Sequence, residues 1–103
     1  PIKRIEKQTI PQEILDSKAE PYFTAGKSFF DQKNWAKASE NFYWVDTNFP
    51  KSSHTHETCF CLGICQYHLG EYAEANFYLT RYLKGENNPE HFREALETKF
   101  QIA

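Results

Sequence analysis

The chain has 103 residues, the length of one domain. Its formal net charge of −2 shows no excess of basic residues that could bind a phosphate backbone, so we predict no nucleic-acid partner. Four glycines and five prolines are too few for a many-stranded β-sandwich, and no apolar run reaches the roughly 18 residues of a membrane span. The 17% aromatic content instead suits packing between helices. Because the chain starts at Pro1 without methionine, we expect it to be part of a longer or processed protein.

Residues 1–18 are polar and charged, and we predict that they form an N-terminal arm or linker. Thr9 is a candidate N-cap for a short helix through Leu15. The apolar anchors of this segment are Ile2, Ile5, Ile10, Ile14 and Leu15.

The first predicted helix pair, residues 19–52, begins with an apolar stripe at helical spacing. Its members are Tyr22, Ala25, Gly26 and Phe29. Residues 31–34 are polar and suit a turn, with Asn34 as N-cap of the second helix. The stripe of that helix consists of Trp35, Ala38, Phe42, Val45 and Phe49. Pro50 ends it, and a serine is available to cap the next helix.

The second pair, residues 53–88, repeats this pattern. Its first helix ends at Gly70, a natural residue after a helix C-terminus, and its second ends at Gly85. The two stripes are Cys59, Leu62, Gly63 and Cys65 on the first helix and Tyr72, Ala75, Leu79 and Tyr82 on the second.

Residues 89–103 are predicted to open a third unit. Asn88 is the expected N-cap, followed by Pro89 in the first turn, and the helix extends from about residue 90 to 102. Phe92, Leu96 and Phe100 form its stripe. If this helix has no partner, its exposed stripe allows dimerisation of the chain.

The helix pairs are related by an offset of 37 residues, which matches small residues to small and aromatic residues to aromatic. We expect the paired glycines and alanines to mark the points where antiparallel helices cross most closely, since a mid-helix glycine costs about 1 kcal/mol relative to alanine. The matched positions are Gly26 with Gly63, Ala38 with Ala75, Trp35 with Tyr72, Phe23 with Phe60, Phe30 with Tyr67, Phe42 with Leu79, and Val45 with Tyr82.

These residues resemble the tetratricopeptide repeat (TPR) signature over residues 20–103. The first unit fills the signature with Tyr22, Ala25, Gly26, Phe29, Trp35, Ala38, Phe42 and Pro50. The second unit departs from it at Gln66, where an aromatic residue is expected. The resemblance implies an all-α, right-handed superhelix of antiparallel helix pairs, an α-solenoid.

The repeat period of 37 residues is long for a TPR and narrows the resemblance to particular subfamilies. Residues 30–38, the Asn48-Phe49-Pro50 sequence and residues 67–82 resemble the BamD-type (YfiO-like) outer-membrane assembly lipoproteins, and CpoB (YbgF)-type repeats are similar. This implies a non-catalytic scaffold for protein–protein interaction on the periplasmic side of the bacterial outer membrane. Cytosolic TPR-type chaperones of type III secretion also consist of helix pairs, so a cytoplasmic chaperone or adaptor for an exported protein is the alternative.

In the TPR family one face of the first helices lines a concave groove for a partner peptide. Two equivalent sets of residues occupy this face here, together with His68. The groove residues implied are Phe23, Lys27, Phe30, Phe60, Ile64, Tyr67 and His68. Two other interpretations stay open: these residues pack against the neighbouring first helix, or the N-terminal segment fills the groove.

No enzyme, metal or cofactor function is predicted. Cys61, Cys65 and His68 lie at i, i+4 and i+7, but a structural zinc site needs four ligands, usually from two segments. His68 has no third group to orient it for thiol catalysis. The cysteines therefore fit small core residues, and no phosphate loop or catalytic motif is present in the sequence.

Overall fold

In a computed structural model, residues 10–103 form five α-helices and no strand. The helices are α1 Gln12–Asp31, α2 Trp35–Asn48, α3 Thr55–His68, α4 Tyr72–Gly85 and α5 Phe92–Ile102. Successive helices pack against each other, and α3 also contacts the first helices α1 and α5 on either side. The predicted all-α helical-repeat fold is confirmed.

The two complete helix pairs cross at their glycines, as the offset of 37 predicts. A Cβ atom on Gly26 would lie 2.7 Å from the Phe42 ring, and one on Gly63 would lie 2.5 Å from Leu79 Cδ2. Both Phe42 and Leu79 are fully buried. Each glycine therefore admits a large apolar side chain from its partner helix, and this packing compensates for its low helix propensity.

Helix α3 is the centre of the molecule because other helices surround it. Every residue from 58 to 66 is buried, and the core gathers around this stretch. Tyr22 and Tyr72, which the periodicity places on inner stripes, are instead exposed by 37% and 52%. Both lie at the margin of their helix–helix contact, where a large ring remains partly in solvent.

Helix α1 is continuous from Gln12 to Asp31, so it crosses the predicted boundary between residues 18 and 19 and no separate short helix ends at Leu15. Thr9 lies outside the described residues. The first turns of α1 are held by the loop between α2 and α3. The Asp16 carboxylate accepts hydrogen bonds from the Ser53 backbone N–H and hydroxyl, both at 2.7 Å, and these bonds lower the pKa of Asp16. The division into arm and repeat domain stays a prediction.

The helix ends confirm two predictions and correct two. No serine caps α3, because its N-cap is His54. Asn34 Oδ1 accepts the Lys37 N–H at 3.3 Å as the N-cap of α2, and Gly70 follows α3 with φ of +79°. The predicted cap at Asn88 is wrong, because Asn88 adopts a left-handed conformation with φ of 52° and the N-cap of α5 is His91. Pro89 thus precedes the helix, and its carbonyl accepts the Phe92 N–H.

Candidate partner-binding surface

Four of the seven predicted groove residues are engaged within the fold. Phe60 and Ile64 are buried, with 3% and 5% of their surface exposed. Phe23 is half-buried and stacks on the His54 ring at 4.2 Å. Lys27 Nζ lies 3.1 Å from Glu57 Oε1, which joins α1 to α3. Phe60 and Ile64 therefore offer a ligand little free surface, whereas Phe23 and Lys27 stay partly exposed but are held by contacts to His54 and Glu57.

The Lys27–Glu57 pair is strong enough to overcome partial burial of both charges. Burial acts to lower the pKa of Lys27 and to raise that of Glu57. The hydrogen bond and opposite charge outweigh it, so the pKa of Lys27 is raised and that of Glu57 is lowered. This part of the predicted groove is therefore a bridge between first helices.

The other three predicted residues belong to a continuous series of rings, which we call the aromatic edge: Phe30, Trp35, His68, Tyr67 and Tyr72. Neighbouring ring centroids lie 5.3, 4.1, 5.4 and 5.9 Å apart in that order. The series runs from the first helix pair to the second. Phe30, Trp35 and Tyr67 are half-buried, whereas His68 and Tyr72 are exposed. One pair of rings, Trp35 and His68, is stacked, and the other pairs meet edge to face or at a tilt, so the edge is a series of ring contacts that remains accessible.

At Tyr72 the aromatic edge meets an apolar cleft of about 520 Å³ between α4 and α5. Leu96 is 38% exposed there and Phe100 is 73% exposed, so both side chains present apolar surface to solvent. Lys99 is held beside the cleft by a 2.7 Å hydrogen bond to Thr80 Oγ1. The cleft is lined by Tyr72, Ala73, Asn76, Leu96, Lys99, Phe100, Ile102 and Ala103.

The cleft is the repeat-equivalent of the surface that α4 covers on α2 and α3. Subtracting 37 from its lining positions gives residues of α2 and α3, including Ser39, Leu62 and Gly63. Gly63 receives Leu79 of α4, as described above. The corresponding position on α5 is Phe100. Because phenylalanine is larger than glycine, a helix seated in the cleft would lie farther from α5 than α4 lies from α3.

The three cysteines are buried, and burial raises the pKa of each thiol, that of Cys65 to about 12. A thiol in this environment is a poor nucleophile and a poor metal ligand at neutral pH. His68, the third residue of the sequence pattern, stacks on Trp35 with an interplanar angle of 7°.

Among residues 10–103, one group of potential metal ligands lies close together, with the ligand atoms of Glu57, Glu90 and His91 within 4.8 Å of one another. The same Glu57 oxygen lies 3.1 Å from the Lys27 ammonium and 3.4 Å from His91 Nε2. The Lys27 ammonium and the His91 ring therefore partner the Glu57 carboxylate without a metal.

Two features were missed by the sequence analysis. Trp35 and Tyr72 were assigned to inner stripes and not to the accessible surface, and the roles of His54 and His91 were not recognised. The offset of 37 could have identified the histidines, because it pairs His54 with His91 and Glu20 with Glu57.

The crossing glycines, the 37-residue period and the alternating helices define a tetratricopeptide-type helical-repeat protein. The chain belongs to the YfiO family, described as "Outer membrane lipoprotein", whose family model matches residues 15–97. Searches of curated proteins and of solved structures found no significant match. In the part of the chain that the structure describes, no helix has both the length and the apolar character needed to cross a membrane.

Proposed function

We propose that the protein is a non-catalytic scaffold on the periplasmic side of the bacterial outer membrane, a component of an outer-membrane protein assembly system that binds another protein. Membership of the YfiO family supports the compartment and the system. The observation that carries the binding role is the accessible aromatic edge and its continuation into the apolar cleft. Contiguous patches of exposed aromatic side chains mark the surfaces at which proteins bind partners.

The occupant of the cleft is an amphipathic helix of the partner protein. The cleft occupies the repeat position of the surface on which α4 sits, and its exposed Leu96 and Phe100 match an apolar helix face. The aromatic edge extends this contact toward Phe30, and its rings lose little side-chain entropy on binding because each already contacts its neighbour. Of the predicted groove residues, we therefore propose that the accessible ones bind the partner: Phe30, Tyr67 and His68.

The test is site-specific photo-crosslinking in bacterial cells that express the whole protein. A benzoylphenylalanine residue replaces Phe100 in one variant and Trp44 in the control. Trp44 is 48% exposed and contacts the Tyr22 ring, away from the edge and the cleft. We expect crosslinks from position 100 to an amphipathic helix of an outer-membrane assembly component, and none to that helix from position 44.

Three outcomes contradict the proposal. Crosslinks from position 100 to a second copy would make the cleft a homodimer interface, and crosslinks to a later segment of the same polypeptide would make it an internal packing surface. Crosslinks to unfolded cytosolic export clients would favour the chaperone function.

A further inference from the structure

Two histidines stack on phenylalanines of the preceding first helix in the same way. His54 stacks on Phe23 with centroids 4.2 Å apart and an interplanar angle of 15°. His91 stacks on Phe60 at 4.3 Å and 14°. Each pair is related to the other by the offset of 37 residues.

A carboxylate completes each set at equivalent positions. His54 Nε2 lies 2.5 Å from Glu20 Oε2, and His91 Nε2 lies 3.4 Å from Glu57 Oε1. Glu20 and Glu57 stand one helical turn before the two phenylalanines, so carboxylate and ring face the same imidazole. The arrangement Glu-x-x-Phe, followed 31 residues after the phenylalanine by His, therefore occurs twice in the chain.

The two histidines occupy the position at which each later helix pair begins. His54 is the N-cap of α3 and His91 is the N-cap of α5. Their carbonyls accept the first backbone hydrogen bonds of those helices, from Thr58 N–H and Ala95 N–H, both at 2.9 Å. Neither histidine caps its helix through its side chain, so the imidazole is free to bind the preceding helix instead.

A histidine that only stacks on an aromatic ring does not form this arrangement, which also requires a carboxylate partner and a position at a helix start. His68 stacks on Trp35 at 4.1 Å, but among the described residues it has no carboxylate within ion-pair distance and it caps no helix start. On α5 the positions equivalent to Glu57 and Phe60 are Glu94 and Glu97. The aromatic ring of the arrangement is therefore absent from α5.

We infer that Glu20–Phe23–His54 and Glu57–Phe60–His91 are two copies of one joint, which fixes the start of each helix pair to the first helix of the pair before it. The joint sets the spacing between successive first helices. It is independent of the proposed function, because it depends only on contacts within the chain.

The test measures amide hydrogen exchange by NMR at Thr58 and Ala95 in the whole protein. Phe23→Leu removes the ring of the first joint together with its edge contact to Phe42. We expect exchange at Thr58 to quicken by about two- to tenfold in this variant, the range that the loss of an aromatic pair implies. Exchange at Ala95, which lies beyond the second joint, stays as in the wild type.

Glu20→Gln provides a second, milder variant that keeps the core intact, and we expect it to quicken exchange at Thr58 in the same direction. Tyr22→Leu is the matched control, because Tyr22 lies beside Phe23 on α1 but its ring contacts Trp44 and not His54. The joint is overturned if exchange at Thr58 is unchanged in both joint variants, or if Tyr22→Leu quickens it equally.

Discussion

Replacement of Phe42 with alanine is expected to lower the free energy of unfolding by about 3–5 kcal/mol, the range for truncating a buried aromatic residue. Phe42 is fully buried, covers Gly26 and lies in edge contact with the Phe23 and Phe30 rings. Truncation would leave a cavity where α1 and α2 cross most closely, and the rigid helices limit how far it can collapse. Urea unfolding followed by circular dichroism measures the change.

Phe77→Ala serves as the matched control for this truncation. Phe77 is 58% exposed on α4, so its loss should change the free energy of unfolding by no more than about 0.5 kcal/mol. Equal effects of the two substitutions would show that the glycine-centred crossing does not hold the first helix pair together.

Replacement of Gln66 with leucine is expected to lower the free energy of unfolding by about 1–3 kcal/mol, although leucine suits the buried position by polarity. Gln66 Oε1 accepts the Ser39 hydroxyl at 2.8 Å, and Gln66 Nε2 donates to Glu74 at 2.7 Å. Both Ser39 and Gln66 are buried, so the substitution strands the Ser39 hydroxyl without its partner. The hydrogen bonds also connect α2, α3 and α4, so the substitution should weaken the packing of the first helix pair against the second.

A double-mutant cycle separates this cause from a simple packing change. Adding Ser39→Ala to Gln66→Leu removes the stranded hydroxyl and should recover most of the lost free energy of unfolding, because removing both partners is nearly neutral. If the double variant is less stable than Gln66→Leu by the full cost of Ser39→Ala, the hydrogen bond contributes nothing to stability.

The helices themselves could be predicted because their signals are local. The apolar spacing around Gly26 and Gly63, the cap at Asn34 and the left-handed Gly70 depend on neighbours within a turn or two. The early start of α1 could not be predicted in this way. It is held by hydrogen bonds from Ser53 to Asp16, 37 residues away in the chain.

The candidate site was predicted only in part, for a related reason. Periodicity identifies which face of a first helix carries Phe23 or Phe60, but not what covers that face. Histidines from the start of the following pair cover both rings, whereas Phe30 and Tyr67 remain half-exposed near the helix ends. The cap at Asn88 failed because a left-handed residue and Pro89 delay the start of α5 to Phe92.

The most direct test of the scaffold function is the affinity of the whole protein for the assembly partner captured at Phe100, measured by calorimetry for wild type, Tyr72→Ser, Phe100→Ser and Trp44→Ser. Tyr72 and Phe100 are exposed, so their substitution should leave the fold and its unfolding temperature unchanged. We predict that each of these two variants binds at least about tenfold more weakly, as truncated interface aromatics do, while Trp44→Ser binds like the wild type. Equal affinity of all four proteins would contradict a binding role for the edge and the cleft.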